Sequence, residues 1–179
     1  MTTYKSSPAE QSFILHWGEM GTRWGVNRTV AQIHALLYIS DRPLNADDII
    51  ERLEIARSNV SNSLKELQSW GLVKLVHVKH DKRDHFESMK DVWEMFRLVM
   101  EERKKREFDP TMGFLKDCIA QGEKDKGTDK YAQERLRDLY KFFETTSALH
   151  EQIRRWSPAT FIKLAKMGDK LLRILGLSA

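Results

Sequence analysis

Apolar residues recur along this chain with a helical period almost everywhere, and the period breaks only near the middle. Ser7-Pro8-Ala9-Glu10 has the form of a helix start: a capping serine, a proline at the first helical position and a glutamate placed to reach back. Phe13, Trp17, Met20 and Trp24 then define an apolar face, while Gly18, Gly21 and Gly25 permit close packing or fraying. Asn27 caps a second helix that buries Val30, Ile33, Leu36 and Leu37 and stops at Arg42-Pro43. Asn45, with Asp48 three residues on, opens a short third helix with Ile49, Ile50 and Leu53 apolar, and Glu54-Ile55-Ala56 turns the chain into a fourth. Gly71 ends that helix, LVKLVHV reads as a strand, residues 79–84 as a charged turn, and His85-Phe86-Glu87-Ser88 as the returning strand of a hairpin.

From Lys90 the helical period resumes through Val92, Met95, Phe96 and Val99 until Asp109-Pro110, which breaks it and starts a helix carrying Phe114, Leu115, Cys118 and Ile119. After a polar loop over residues 122–128, a long helix from about Lys130 to Arg155 places Leu136, Leu139, Tyr140, Phe143, Thr146, Leu149 and Ile153 on one side. Ser157-Pro158 starts the last helix, whose stripe runs through Phe161, Leu164, Ala165, Gly168, Leu171, Leu172 and Leu175 to a stop at Gly176. The expected fold is mostly α: a winged helix-turn-helix with a two-stranded β wing, plus N- and C-terminal helices forming a dimerisation region. The expected division is residues 1–27 as an N-terminal dimerisation and packing helix, 28–90 as the winged helix-turn-helix DNA-binding domain, and 91–179 as a C-terminal helical dimerisation and effector region.

The helix beginning at Arg57 carries two chemistries. Val60, Leu64, Leu67 and Trp70 form an apolar stripe, whereas Ser58, Asn59, Ser61, Asn62 and Lys65 fill the opposite side with more donors than capping requires. Such a helix fits the major groove, where asparagine can pair with adenine and lysine can donate to guanine acceptors; Arg57 and Asn59 stand at its start, near enough to a phosphate strand to fix register. On the hairpin, Lys79, Lys82 and Arg83 can reach phosphates or a narrow minor groove, and Asp81 can hold the Arg83 guanidinium in place. One such helix covers only a few base pairs, so specificity asks for two half-sites about 34 Å apart and hence a homodimer on double-stranded DNA.

Composition changes this picture little. The net charge of +4 is modest, but Arg57, Lys65, Lys74, Lys79, Lys82 and Arg83 face only Glu66 and Asp81 between positions 57 and 83, so the basic excess coincides with the polar helix and the hairpin. A second basic run, Arg103 to Arg106, reads as a solvated helix end. No apolar run approaches the length of a membrane span, and MTTYKSSPAEQ lacks the apolar stretch of a secretory signal, so a cytoplasmic location is expected. Cys118 is the single cysteine, flanked by Phe114, Leu115 and Ile119, which reads as a buried, inert thiol rather than an oxidant sensor.

The run from Asn45 to Asp84 resembles the winged helix of MarR-type regulators, and NVSNSLKELQSWGLVKLVHVKHDKRDHFESMKDVWEMF is similar to their GbsR-like branch. The most specific parts are Asn59-Val60-Ser61, the helix exit from Leu67 through Trp70-Gly71-Leu72-Val73, and Asp81, Asp84 and Phe86 leading to Lys90-Asp91-Val92-Trp93. The resemblance implies a homodimeric transcription factor, with reading helices in successive major grooves and terminal helices at the dimer interface. Asp81-Lys82-Arg83 fits the family's Asp-x-Arg wing pattern, whereas Ser58 stands where the GbsR-like pattern often has glycine. The same resemblance points to choline or a related osmolyte as an effector, since Trp17, Trp24, Trp93 and Trp156 could contribute to a cage for a quaternary ammonium; core packing is the competing role for each.

His77, His80 and His85 straddle the hairpin without a supporting cysteine or carboxylate cluster, so they read as wing histidines near phosphates, and no metal site or cofactor is expected. There is no Gly-rich phosphate loop, no metalloprotease helix and no nucleophile elbow, and the chain does not read as an enzyme. The reading is a sequence-specific regulator, a repressor controlled by a small ligand; the alternative is a winged-helix protein-interaction module that does not touch DNA.

Overall fold

The computed structural model describes residues 6–125 and 127–174, and no helix among them is long and apolar enough to cross a membrane. Two compact units divide the chain, one up to Val99 and one from Met100. Leu175 and Gly176 lie outside the described residues, as do the side chains of Ala165, Leu171 and Leu172 on the expected stripe of the last helix.

In the first unit the capping signals act where the residues place them. Helix α1 (Pro8–Arg23) starts in a reciprocal capping box between Ser7 and Glu10, and α2 (Arg28–Ile39) starts at Asn27, whose side chain accepts from the Thr29 N–H at 2.8 Å. The α1 stripe is rotated from expectation. Its buried residues are Ile14, Gly18 and Gly21, with Phe13 and Trp17 half-buried and Trp24 exposed. The glycines are therefore the contact surface against α2 rather than points of fraying: a Cβ on Gly21 would lie 2.5 Å from the Ala31 Cβ. Helix α2 ends at Ile39, before Arg42-Pro43, where the Ser40 hydroxyl donates to the Leu36 carbonyl at 2.7 Å. The Lys90 ammonium completes that end by donating to the carbonyls of Leu37, Tyr38 and Ser40 at 2.7–2.9 Å. A cation at a helix C-terminus satisfies orphan carbonyls and opposes the negative end of the dipole.

Strand β1 (Leu44–Asn45) precedes α3 (Ala46–Leu53) and α4 (Arg57–Ser69), and β2 (Val73–Val78) and β3 (Asp81–Ser88) form the hairpin. The sheet is antiparallel in the order β1-β3-β2, so it has three strands rather than the expected two. Leu44 pairs with Phe86 and Asn45 with His85. Asn45 also caps α3 in a capping box with Asp48, so one residue joins the helix-turn-helix to the sheet. Glu54 turns the chain between α3 and α4 in the left-handed region (φ 53), and Gly71 does the same after α4 (φ 73). The hairpin turn is tighter than expected: Lys79 and His80 make it, His80 with φ 68, and Lys82 and Arg83 lie on β3. The register shifts between Val76 and Val78.

Ile33, Leu36, Leu37, Leu44, Ile49, Val60 and Leu67 are at most 2% exposed and form the centre of this unit. Burying each of these side chains contributes about 1.5–3 kcal/mol, offset by ordering entropy. The apolar stripe of α4 is thus the inner face of the helix, which turns Ser58, Asn59, Ser61, Asn62 and Lys65 outward.

Helix α5 (Val92–Arg103) does not break at Asp109-Pro110. It passes into a π-helical turn (Lys104–Phe108) and then α6 (Asp109–Lys124), with the proline in the first turn of α6. Helix α6 also runs to Lys124, through much of the segment expected as a loop. In the second unit α6 packs on α7 (Lys130–Arg154), where the Gln133 amide donates to the Gly122 carbonyl at 3.0 Å and the rings of Phe108 and Phe143 lie 5.3 Å apart. No residue of α7 is fully buried: Leu136, Tyr140, Phe143, Thr146 and Ile153 are half-buried, and Leu139 and Leu149 are exposed. Helix α8 (Pro158–Ile174) follows.

Candidate nucleic-acid interface

Helix α4 has no side-chain cap, because its N-cap is Ala56. The exposed Ser58, Asn59, Ser61, Asn62 and Lys65 side chains are also uncommitted, having no hydrogen-bond or ion-pair partner among the described residues. A helix start with unsatisfied N–H groups and outward serine and asparagine side chains offers donors to an external acceptor. Arg57 differs from its neighbours, since its guanidinium pairs with the Asp47 carboxylate in the first turn of α3. That pairing was not legible in the sequence, because the nine intervening residues carry no periodic signal linking the two positions.

On the wing, Asp81 and Arg83 form a closed unit. The Arg83 Nε donates to both Asp81 carboxylate oxygens at 3.0 and 3.1 Å, a terminal guanidinium nitrogen donates to Oδ2, and the Arg83 backbone N–H donates to Oδ1 at 3.0 Å. These bonds hold the Asp81 carboxyl well below the usual carboxylate range and raise the Arg83 guanidinium above its ordinary value. Asp81 is therefore charged throughout the physiological range and fixes the direction of the guanidinium. Lys79 and Lys82 are exposed and have no partner among the described residues.

His85 corrects an expectation. It is only 4% exposed, its Nδ1 lies 2.8 Å from the Arg83 carbonyl, and its Nε2 lies 3.5 Å from Asp81 Oδ2, so it supports the wing from beneath and cannot meet a phosphate. His77 and His80 remain on the exposed side. Lys74, counted in the basic excess, is committed to Glu87, its cross-strand partner, at 3.1 Å. In the second basic run, Lys104 pairs with Asp109 and Lys105 with Glu102, each at 2.9 Å.

A groove of about 500 Å³ runs between the helices and the wing. It brings Arg57, Ser61 and Lys65 of α4 to the same concavity as Arg83 of β3, with Asp47, Gln68 and Asp84 also on its walls. Ser58, Asn59, Asn62, Lys79 and Lys82 are not among its lining residues.

Residues 24–84 match the family model described as MarR family. The fold of this stretch is a winged helix, similar to that of the MarR family. The matched stretch holds the helix-turn-helix and most of the wing, and leaves out α1 and everything from α5 onward. Among solved structures, one titled "Crystal Structure of a transcriptional regulator" superposes with a TM-score of 0.62 at 17% identity, covering 82% of this chain and 96% of that one. No curated protein matches the chain.

A second cavity, about 280 Å³, lies inside the first unit. Trp17 and Trp24 line it with Trp70, Met95 and Phe96, and the rings of Trp17 and Trp24 meet edge to face at 5.8 Å. Trp93 does not line it, and Trp156 belongs to the second unit. The sequence had placed Trp70 only on the α4 stripe. His34 also faces this cavity; its Nε2 is buried without a hydrogen-bond partner, and burial, with a smaller contribution from the Lys90 charge, lowers its pKa to about 4.

Proposed function

We propose that this protein is a sequence-specific DNA-binding transcriptional regulator, a repressor of the GbsR-like branch that acts as a homodimer. The observation that carries this reading is the row of outward, unpartnered Ser58, Asn59, Ser61, Asn62 and Lys65 side chains beside a wing whose Arg83 is held by Asp81. Buried packing explains none of these side chains, and major-groove recognition uses such donors. The MarR family match over the same residues supports it. The dimer is supported by the apolar surface of the second unit, where Phe114, Tyr131 and Phe142 are 62–69% exposed. The domain assignment follows: residues 28–90 read DNA, and residues 1–27 and 91–179 pack, pair and respond to ligand.

Selecting bound duplexes from a random library should return a two-fold symmetric consensus with half-sites about one helical turn apart. An absence of enrichment would favour a protein partner for the same surface. Binding to the selected duplex should weaken steeply with salt, because each neutralised phosphate releases counterions. Arg83→Ala is expected to weaken binding to specific and random duplexes alike and to reduce the salt slope by about one. Asn62→Ala should instead cost about 1–3 kcal/mol on the selected duplex and relax preference at a single base position. If Asn62→Ala lowered affinity for random DNA equally, the base-reading role of Asn62 would be excluded.

The effector reading rests on the tryptophan-lined cavity. Indole faces attract a quaternary ammonium, and a neutral His34 adds no opposing charge there. Choline titrated into the protein should change tryptophan emission and operator affinity together; no change in either removes choline from consideration.

A further inference from the structure

We propose that Glu101, His150 and Glu151 form a binding site for a divalent first-row transition-metal ion within the second unit. One ligand atom from each of the three side chains lies within 4.8 Å of the others, a spacing that a single ion can span. Two of the contributing side chains have polar atoms buried without a partner: Glu101 Oε2 and His150 Nδ1. Leaving a buried carboxylate oxygen and an imidazole nitrogen unsatisfied is costly, and a coordinated cation removes both penalties at once.

The surrounding charges are compatible with this role. Lys104 stands close enough for its charge to be felt by both Glu101 and Glu151, but its ammonium is already bonded to Asp109 at 2.9 Å. Arg154 takes one oxygen of Glu151, Oε2, at 3.2 Å, which leaves Oε1 of that carboxylate for a ligand. Arg154 thus engages a single oxygen of Glu151, and the nearby lysine is ion-paired to a different carboxylate. The π-helical turn (Lys104–Phe108) begins three residues after Glu101, and such turns collect at functional positions because they re-aim side chains.

The donor set selects the ion. One imidazole with two carboxylates suits zinc, manganese, iron, cobalt or nickel, whereas calcium and magnesium take oxygen donors alone; without a thiolate there is no preference for copper(I). Three protein ligands leave further positions for water. Because Glu101 precedes the π turn and His150 and Glu151 lie on α7, the ion ties two segments of the second unit together, and its binding stabilises that unit by mass action. The reading helix and wing contribute no ligand.

The test is titration of the full chain, freed of metal by a chelator, with Zn²⁺ and separately with Mn²⁺ and Mg²⁺, by calorimetry and thermal melting. The expected result is one Zn²⁺ per chain with a raised Tm, no comparable response to Mg²⁺, and at least a tenfold loss of affinity in Glu101→Gln and in His150→Gln. Cobalt(II) supplies a readout independent of stability: visible absorption that is present with the wild type and lost with His150→Gln. A His77→Ala, His80→Ala double variant should bind as the wild type does. Wild-type protein that takes up none of the transition ions, or binding abolished by the wing double variant and retained in His150→Gln, would overturn the proposal.

Discussion

Between pH 7.5 and pH 4.5 the folded state is expected to lose about 2–3 kcal/mol of stability through one residue, His34, by proton linkage. His34 has an ordinary pKa of 6.5, lowered to about 4 in the folded chain, first by burial and then by the Lys90 charge. The depressed value means that the folded state refuses a proton that the unfolded state accepts. The contribution is therefore intact above pH 6.5, declines as the pH falls, and is fully lost below about 4. Urea midpoints measured across this range should fall more steeply for the wild type than for His34→Leu, which has nothing to protonate at that position. Parallel pH profiles for the two proteins would show that His34 does not govern the acid limb. Only when the pH reaches about 4 does the folded chain itself place a cation on the wall of the tryptophan-lined cavity, so affinity for a quaternary ammonium should hold down to about pH 5 and fall as the pH approaches 4.

Gly21→Val should destabilise the first unit by about 3 kcal/mol, since overpacking of a fitted contact costs about 1–3 kcal/mol and valine adds a branched side chain. A Cβ at Gly21 already comes within 2.5 Å of the Ala31 Cβ, and neither atom can move without its helix. The helices must separate, which also shifts the cavity wall formed by Trp17 and Trp24. A lower melting temperature accompanied by altered tryptophan emission is the expected signature. Gly113→Ala serves as the opposing case. It lies in α6 with nothing within 4 Å of the new Cβ, and alanine is favoured over glycine in a helix by about 1 kcal/mol. If both substitutions lowered stability alike, the loss would reflect something other than the α1–α2 contact.

The parts of the fold written into short stretches of sequence were legible. Ser7 with Glu10, Asn27, Asn45 with Asp48, and Gly71 each announce a helix end through chemistry that acts within four residues, and each does so in the structure. The alternation of Val60, Leu64 and Leu67 with polar neighbours sorted α4 into an inner and an outer face for the same reason. What escaped depends on partners far along the chain. A two-residue strand such as Leu44–Asn45 has no period, and it exists only because Phe86 and His85 arrive beside it. His85 looked like any wing histidine until its neighbours Asp81 and Arg83 enclosed it. The π turn was hidden behind Asp109-Pro110, whose usual meaning is a break, because proline is also tolerated in a first helical turn. Glu101 and His150 are 49 positions apart (150 − 101), and no local rule joins them.

Asn45 ends β1 and caps α3 in the same backbone step. An insertion or deletion of one residue there would flip the strand's inward and outward faces and displace the cap together. The Lys79-His80 turn carries no such double duty, since it only closes a hairpin. Topology thus sets where length can change: the tip of the wing tolerates an added residue that the joint at its root, held to a fixed count, does not.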